Sequence, residues 1–220
     1  MNKAKDEIVR NIQQMSGRYS TYNIFSDWVK LCALTIQNST QIIHNGIWQQ
    51  RELQYLEILR KYTTKEQKML ADMLGMLYAA FENEISDILG KIYMEAECSS
   101  KATGQFFTPF HISYLTAQAI PNDISEDNKL HLNEPSSGGG GLIIAAAKVL
   151  QDRGLDYQRC MDVVAQDLDY NGVYMTYVQL SILGIKATVI QGDALANQYI
   201  NGAYPEEKVF YTPKKMGLMI

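Results

Sequence analysis

Cysteine and histidine are scarce in this 220-residue chain, three of each, and neither set clusters. Cys32, Cys98 and Cys160 stand far apart and are odd in number, which fits neither a disulfide framework nor a thiolate metal site. His44, His111 and His131 are equally scattered, so metal chemistry and a Cys/His nucleophile are set aside. No apolar run approaches the roughly 18 residues of a membrane span. Met1-Asn2-Lys3-Ala4-Lys5-Asp6-Glu7 leads into no apolar signal-peptide segment. The expectation is a protein of the cytoplasm with no membrane partner. A basic excess is also missing, since 20 Lys and Arg face 24 Asp and Glu for a net charge of −4. Proteins that grip nucleic acid alone usually carry a basic patch or stripe. Binding to DNA would therefore need a local patch or a basic partner. Internal repeats and low-complexity tracts are absent as well.

What is present suits a folded protein. Hydrophobic residues make up 46% of the chain, which excludes intrinsic disorder. A mass of 24.9 kDa suits one large domain or two small ones with a sizeable core.

The two halves differ in periodicity. Proline is absent before Pro109, and apolar residues up to about residue 98 recur at three- and four-residue steps, as in helices. Ser26 is placed as an N-cap for a helix through Ile36, with Asp27 in its first turn. Leu53, Leu56 and Leu59 carry a second stripe. Thr63-Thr64-Lys65-Glu66 has capping-box spacing and opens a third helix through Phe81, whose face Ile85, Ile88, Leu89 and Ile92 continue. These apolar positions read as core. Ser99 to Gly104 forms a polar junction, so the expected domains are a helical one over 1–100 and an α/β one over 101–220. In the second, strands at 131–134, 161–166 and 187–191 alternate with helices at 142–150 and 170–183, and Gly184 closes the latter as a C′ residue. Val209-Phe210-Tyr211 is a fourth strand. Alternating strands and helices imply parallel pairing, and the expected sheet order is 3-2-1-4.

Chemistry concentrates at the strand ends. Gly138 to Gly141 lie between the first strand and its helix, and four glycines carry an entropic penalty on folding. Such a loop lets a ligand approach the backbone where helix N–H groups are free. By itself it could serve a phosphate, a dinucleotide or another adenosine ligand. Asp167, at the end of the second strand, can accept both hydroxyls of a ribose, the role an acid plays in dinucleotide folds. Asp193 ends the third strand, beside the expected adenine position, and Glu134 can hold an ammonium group. Acids at all three positions suit a ligand with an ammonium, a ribose and an adenine better than a nicotinamide dinucleotide.

Longer segments sharpen this reading. They are Gly104-Gln105-Phe106-Phe107-Thr108-Pro109, Glu134-Pro135-Ser136-Ser137-Gly138-Gly139-Gly140-Gly141 and Ala165-Gln166-Asp167-Leu168-Asp169. Tyr174, Tyr177, Leu180, Leu183-Gly184-Ile185 and Gly192-Asp193 follow. In this order the stretch from 104 to about 200 resembles the N-6 adenine DNA methyltransferases, specifically the modification subunits of type I restriction systems and their phage-borne relatives. The loop departs from their (Asp/Glu)-Pro-Ala-Cys-Gly-Ser-Gly-Gly pattern at Ser136, Ser137 and Gly139. The resemblance implies a Rossmann-like, class I S-adenosylmethionine-dependent methyltransferase fold preceded by a helical domain. It also implies contacts to S-adenosylmethionine from Phe106, Phe107, Thr108, Pro109, Glu134, Pro135, Ser136, Gly138, Gly140, Asp167, Leu168 and Asp193. The Phe-Thr-Pro part would close over the methionine end, Asp167 would hold the ribose and Asp193 the adenine amino group.

One family motif is missing. Its members carry (Asn/Asp/Ser)-Pro-Pro-(Tyr/Phe) after the fourth strand, where a side chain and a proline carbonyl accept the hydrogens of the adenine amino group and the aromatic stacks on the flipped base. Here Pro109, Pro121, Pro135, Pro205 and Pro213 are the five prolines, and no two are adjacent. The nearest counterpart is Thr212-Pro213-Lys214-Lys215, which makes Thr212 and Pro213 the catalytic candidates, with Tyr211 next door. Family sheets also continue for further strands, so the sheet here is expected to be truncated. Its uncovered edge would invite pairing with a second copy, and the apolar ending Met216 to Ile220 suggests a shortened chain or a packing tail. The leading expectation is an adenine-specific DNA methyltransferase, active only with a specificity or other subunit. The alternative is a catalytically silent cofactor-binding module of a restriction or mobile-element system. A nicotinamide oxidoreductase is disfavoured, since no acid–base residue is recognisable beyond the loop.

Overall fold

The computed structural model describes residues 2–98, 107–196 and 204–218. Two compact units emerge, one of Met1–Glu84 with Ile88–Phe106 and one of Ile85–Asp87 with Phe107–Ile220.

The first unit is helical: α1 (Lys3–Met15), α2 (Thr21–Thr40), α3 (Gly46–Leu59), α4 (Thr64–Asn83) and α5 (Ile88–Glu95). Short polar side chains start four of these helices by satisfying an orphan N–H of the first turn. Asn2 accepts from Lys5, Ser20 from Asn23 and Asn45 from Trp48. Thr63 and Glu66 form the reciprocal capping box expected from the sequence. Ile8 and Ile12, Ile24 and Trp28, Met73 and Leu77, and Ile88 and Ile92 are completely buried. Each pair is spaced by four residues and so lies on one helix face. Two helix boundaries differ from expectation. Ser26 lies inside α2, because Ser20 supplies the cap and Ile24 and Phe25 are already core residues of the same helix. The stripe from Leu70 to Ile92 is broken after Asn83, where Glu84 is extended, and resumes as α5.

The second unit contains α6 (Phe110–Ala117), β1 (Leu130–Glu134), α7 (Gly141–Asp152), the short α8 (Tyr157–Cys160), β2 (Met161–Asp167), α9 (Tyr170–Ile182), β3 (Ala187–Gln191) and β4 (Val209–Tyr211). β1, β2 and β3 pair in parallel, with Glu134 opposite Ala165 and Asp167 opposite Gln191. β3 is buried at every residue, and α9 is buried from Gly172 through Ser181. Gly184 ends α9 with φ 65°, and the Ile185 amide donates to the Leu180 carbonyl at 2.9 Å, a left-handed C-terminal closure.

The expected order 3-2-1-4 needs correction. The sheet runs β1-β2-β3-β4, and β4 pairs antiparallel to β3, with Thr188 opposite Tyr211 and Ile190 opposite Val209. A parallel fourth strand would need a crossover that returns the chain to the start of the sheet, usually through a helix. Among the described residues between β3 and β4, the one helical element is the three-residue 3-10 turn Glu206–Lys208. β4 accordingly covers the β3 side, and β1 becomes the edge strand on the other. No helix among the described residues is long and apolar enough to cross a membrane.

Candidate functional site

The carboxyl ends of β1, β2 and β3 bring Glu134, Asp167 and Gln191 to one rim of the sheet, where the glycine loop crosses from β1 to α7. Gly138 and Gly140 have φ values of 52° and 87°, a left-handed backbone that side chains disfavour. A Cβ on Gly138 would lie 3.2 Å from the Phe107 ring, and one on Gly140 would lie 3.2 Å from the Thr176 hydroxyl. The loop is pinned to the sheet by the Ser137 amide, which donates to the Gln166 carbonyl at 2.9 Å, and folds on itself through Gly140 N–H to Ser137 carbonyl at 2.7 Å.

α9 holds the loop from behind. The Thr176 hydroxyl donates to the Gly138 carbonyl at 2.9 Å, and the Gln179 amide donates to the Gly139 carbonyl at 2.6 Å. Gly172 completes that stripe, because a Cβ there would lie 2.9 Å from the Gly138 carbonyl oxygen. With both carbonyls engaged, the peptide planes of the turn are fixed. Gly140 has no side chain with which to cap α7. The carboxylate of Asp87 stands there instead, accepting from Gln179 at 2.8 Å, with Oδ2 3.2 Å from where a Gly141 Cβ would be. An anion is favourable at a helix N-terminus.

Asp167 joins these parts. Its Oδ2 accepts the Gly138 amide at 2.7 Å, its Oδ1 accepts the Asp169 amide at 2.9 Å, and its main-chain carbonyl accepts the Gly192 amide at 2.8 Å. A carboxylate has about four acceptor positions, so each oxygen retains one for a ligand hydroxyl. Glu134 is half-buried, and its Oε1 accepts the Ser136 amide at 3.2 Å. Burial pushes its carboxyl pKa up, the Ser136 amide opposes this, and the negative charge of Asp167 adds to it. Asp193 is exposed and caps its own turn, with Oδ1 accepting from Leu195 and Ala196 at 2.9 and 3.2 Å.

Apart from Asp193, the expected site residues divide by where the structure places them. Phe107, Glu134, Gly138, Gly140 and Asp167 converge around the loop. Pro135, Ser136, Thr108, Pro109 and Leu168 are exposed, with Leu168 at 68% immediately after Asp167. Phe106 lies outside the described residues. Thr212 and Pro213 do not join the site. Because β4 runs antiparallel to β3, Thr212 meets the beginning of β3, at the end of the sheet away from the loop. There its hydroxyl donates to the Ile185 carbonyl at 2.8 Å and accepts the Ala187 amide at 2.9 Å, at 0% exposure. Lys215, beside it, pairs with Asp162 at 2.7 Å.

Sequence reasoning missed Asp87, Gly172, Thr176, Gln179 and Tyr204. Thr176 and Gln179 left a faint trace as polar residues in the largely apolar middle of α9. Tyr204 donates no periodicity signal at all, yet it binds Gln166 at 2.6 Å, and its ring would overlap a Cβ on Gly192 at 2.4 Å.

Charge narrows the ligand further. No lysine or arginine occurs between Lys129 and Lys148, between Arg159 and Lys186, or between Lys186 and Lys208. The strands and loops of the site thus offer carboxylates and amides and no cation of their own. A pyrophosphate would meet a concentration of like charge, whereas a ligand carrying positive charge and hydroxyls would not. Among the described residues no metal-binding group of His, Cys, Asp or Glu occurs.

Residues 84–216, more than half of the chain, match the family model described as N-6 DNA Methylase. The chain belongs to the N-6 DNA methylase family. That match begins just before Asp87 and takes in every element of the α/β unit. A structure described as a class I S-adenosylmethionine-dependent methyltransferase from Listeria monocytogenes is similar at 14% identity and a TM-score of 0.50, over 96% of this chain and 67% of that one. A type I restriction-modification system methyltransferase subunit from Streptococcus thermophilus shows 15% identity over 76% of this chain and 36% of its own, with a TM-score of 0.47, too low to bear on the fold. S-adenosylmethionine is the cofactor of this family and fold, and the residues present fit it. Glycines 138 and 140 form a cradle that side chains would fill, and the acids around it suit a cationic nucleoside.

Proposed function

We propose that this chain binds S-adenosylmethionine across the glycine loop and serves methylation of adenine N-6 in DNA, as one subunit of a type I restriction-modification assembly. The observation that carries the proposal is the Gly138–Asp167 hydrogen bond of 2.7 Å beside half-buried Glu134, in a loop without a cation. Glu134 takes the ammonium group, Asp167 the ribose hydroxyls and Asp193 the adenine amino group. Leu168 lies along the adenosine, while Phe107, Thr108 and Pro109 cover the methionine end together with Pro135 and Ser136.

When bound, the cofactor supplies a methyl group made electrophilic by a sulfonium. The chain's own task is to bind and orient. Thr176 and Gln179 hold the loop carbonyls before any ligand arrives, so little backbone reorganisation remains at the moment of reaction, the condition under which fixed dipoles contribute most. Holding the acceptor base is a separate task. No two prolines are adjacent in the sequence, and Thr212 has both hydroxyl functions engaged at the far end of the sheet. Thr212 and Pro213 are therefore not assigned to a pocket for the flipped adenine, and reading of the target sequence is proposed to involve a specificity or other subunit.

The same placement of Thr212 favours a second reading, a catalytically silent module that binds the cofactor and regulates or assembles with such a system. Calorimetric titration of S-adenosylmethionine, followed by methyl incorporation into unmethylated DNA with and without candidate specificity and modification subunits, separates the two. Transfer in the presence of a partner supports the first reading. Binding without transfer in every pairing supports the second, and absence of binding defeats both.

A further inference from the structure

Asp87 lies far upstream of the glycine loop in sequence, yet Ile85–Asp87 clusters with the α/β unit. Its side chain is buried, at 4% exposure, against the loop. The Gln179 amide nitrogen donates to Asp87 Oδ1 at 2.8 Å and to the Gly139 carbonyl at 2.6 Å. That nitrogen has two hydrogens, and both go to groups that can only accept. Turning the amide over would set its oxygen against a carboxylate and a carbonyl. Asp87 therefore selects the orientation of Gln179 in which the Gly139 carbonyl is held. Its second oxygen is 3.2 Å from where a Gly141 Cβ would stand, so its charge also sits at the start of α7.

We infer that Asp87 is a positioning residue for the cofactor site, locking Gln179 so that the glycine loop is preset before a ligand binds. The effect on S-adenosylmethionine rests on the function proposed above, whereas the setting of the loop does not. The residue need not touch the ligand. Its role is to fix a donor that fixes the loop.

The test uses the full chain and two readouts. Amide hydrogen exchange of the ligand-free protein reports on the loop, and calorimetric titration with S-adenosylmethionine reports on the site. Asp87→Ala is expected to speed exchange at Gly139 to Gly141 and to raise Kd, each by at least about tenfold, the scale of one buried donor left unpaired. Asp87→Asn keeps an acceptor for Gln179 and should stay within about threefold of wild type. Exchange in β3 should be the same in all three proteins. Unchanged loop exchange in Asp87→Ala, or equal damage in Asp87→Asn, overturns the inference. So does a loss of protection that spreads equally through β3, which would make Asp87 a residue of general stability. Should Asp87→Ala not fold, Gln179→Ala compared with Asp87→Asn decides: faster loop exchange in the first alone is expected, and equal exchange in both overturns the idea. Wild-type protein that fails to bind S-adenosylmethionine while the exchange pattern holds would remove the cofactor and leave the role of Asp87 standing.

Discussion

The carboxylate of Asp167 accepts the Gly138 amide at 2.7 Å, tying the end of β2 to the turn of the glycine loop. One side chain thereby shapes the cradle and offers its remaining lone pairs to whatever lies in it. Asp167→Ala removes both contributions. S-adenosylmethionine affinity is expected to fall about 100-fold, the loss of one or two hydrogen bonds to a charged group. Asp167→Asn, which keeps one acceptor oxygen, should lose less. Calorimetric titration checks both, and an Asp167→Ala protein that binds as tightly as wild type would remove the ribose assignment.

Gly172 offers a test in which two effects oppose each other. Alanine is favoured over glycine in a helix by up to about 1 kcal/mol, so Gly172→Ala, in the first turn of α9, would ordinarily stabilise the protein modestly. Here the new Cβ would press to within 2.9 Å of the Gly138 carbonyl oxygen, a backbone atom that cannot step aside cheaply. The expected result is a lower Tm and weaker cofactor binding. Gly75 in α4 is the control, since a Cβ there meets nothing within 4 Å, and Gly75→Ala should raise stability by about 0.5–1 kcal/mol. Thermal unfolding of the two variants should move in opposite directions.

Thr212 is expected to matter for stability and not for the cofactor. Thr212→Val keeps the shape but leaves the Ala187 amide without its hydroxyl acceptor. Denaturant unfolding should show a loss of about 1–3 kcal/mol, with the Kd for S-adenosylmethionine unchanged. A folded variant with impaired binding would place Thr212 back among the site residues.

Binding should also depend on acidity through Glu134. Burial, reinforced by the charge of Asp167, raises its pKa above the ordinary 4.5 in the free protein, despite the opposing Ser136 amide. Above that raised value the carboxylate is charged and attracts an ammonium group; as pH falls through it, the proton competes with the ligand and affinity drops. Titrations from neutral to mildly acid pH should show the fall beginning above the usual glutamate range. In Glu134→Gln, binding should be weaker at neutral pH and should lack this step. A wild-type profile that stays flat down to 4.5 contradicts the ammonium assignment.

Much of this was legible from residue order. The capping box at Thr63, the C′ glycine at 184 and the positions of β1, β2 and β3 are local patterns, each decided by neighbours within a few residues, and the helices between those strands imply their parallel pairing. Four glycines followed by an acid at the next strand tip encode a cradle in the same way. The direction and position of β4 were not legible, because a three-residue strand carries an alternation that reads the same parallel or antiparallel, on either side of a sheet. The fate of Thr212 followed from that direction, since an antiparallel β4 delivers it to the wrong end of β3.

Sequence by itself determined the helices, the alternation of strand and helix and the glycine loop between β1 and α7, because periodicity, capping and glycine placement are short-range chemistry. Only the tertiary structure decided which groups hold the loop in shape. Asp87, Thr176 and Gln179 come from two distant segments and meet Gly138 and Gly139 through buried hydrogen bonds. Such pairing is imposed by the need to satisfy buried polar groups once water is excluded, and residue order alone does not say which distant groups will meet.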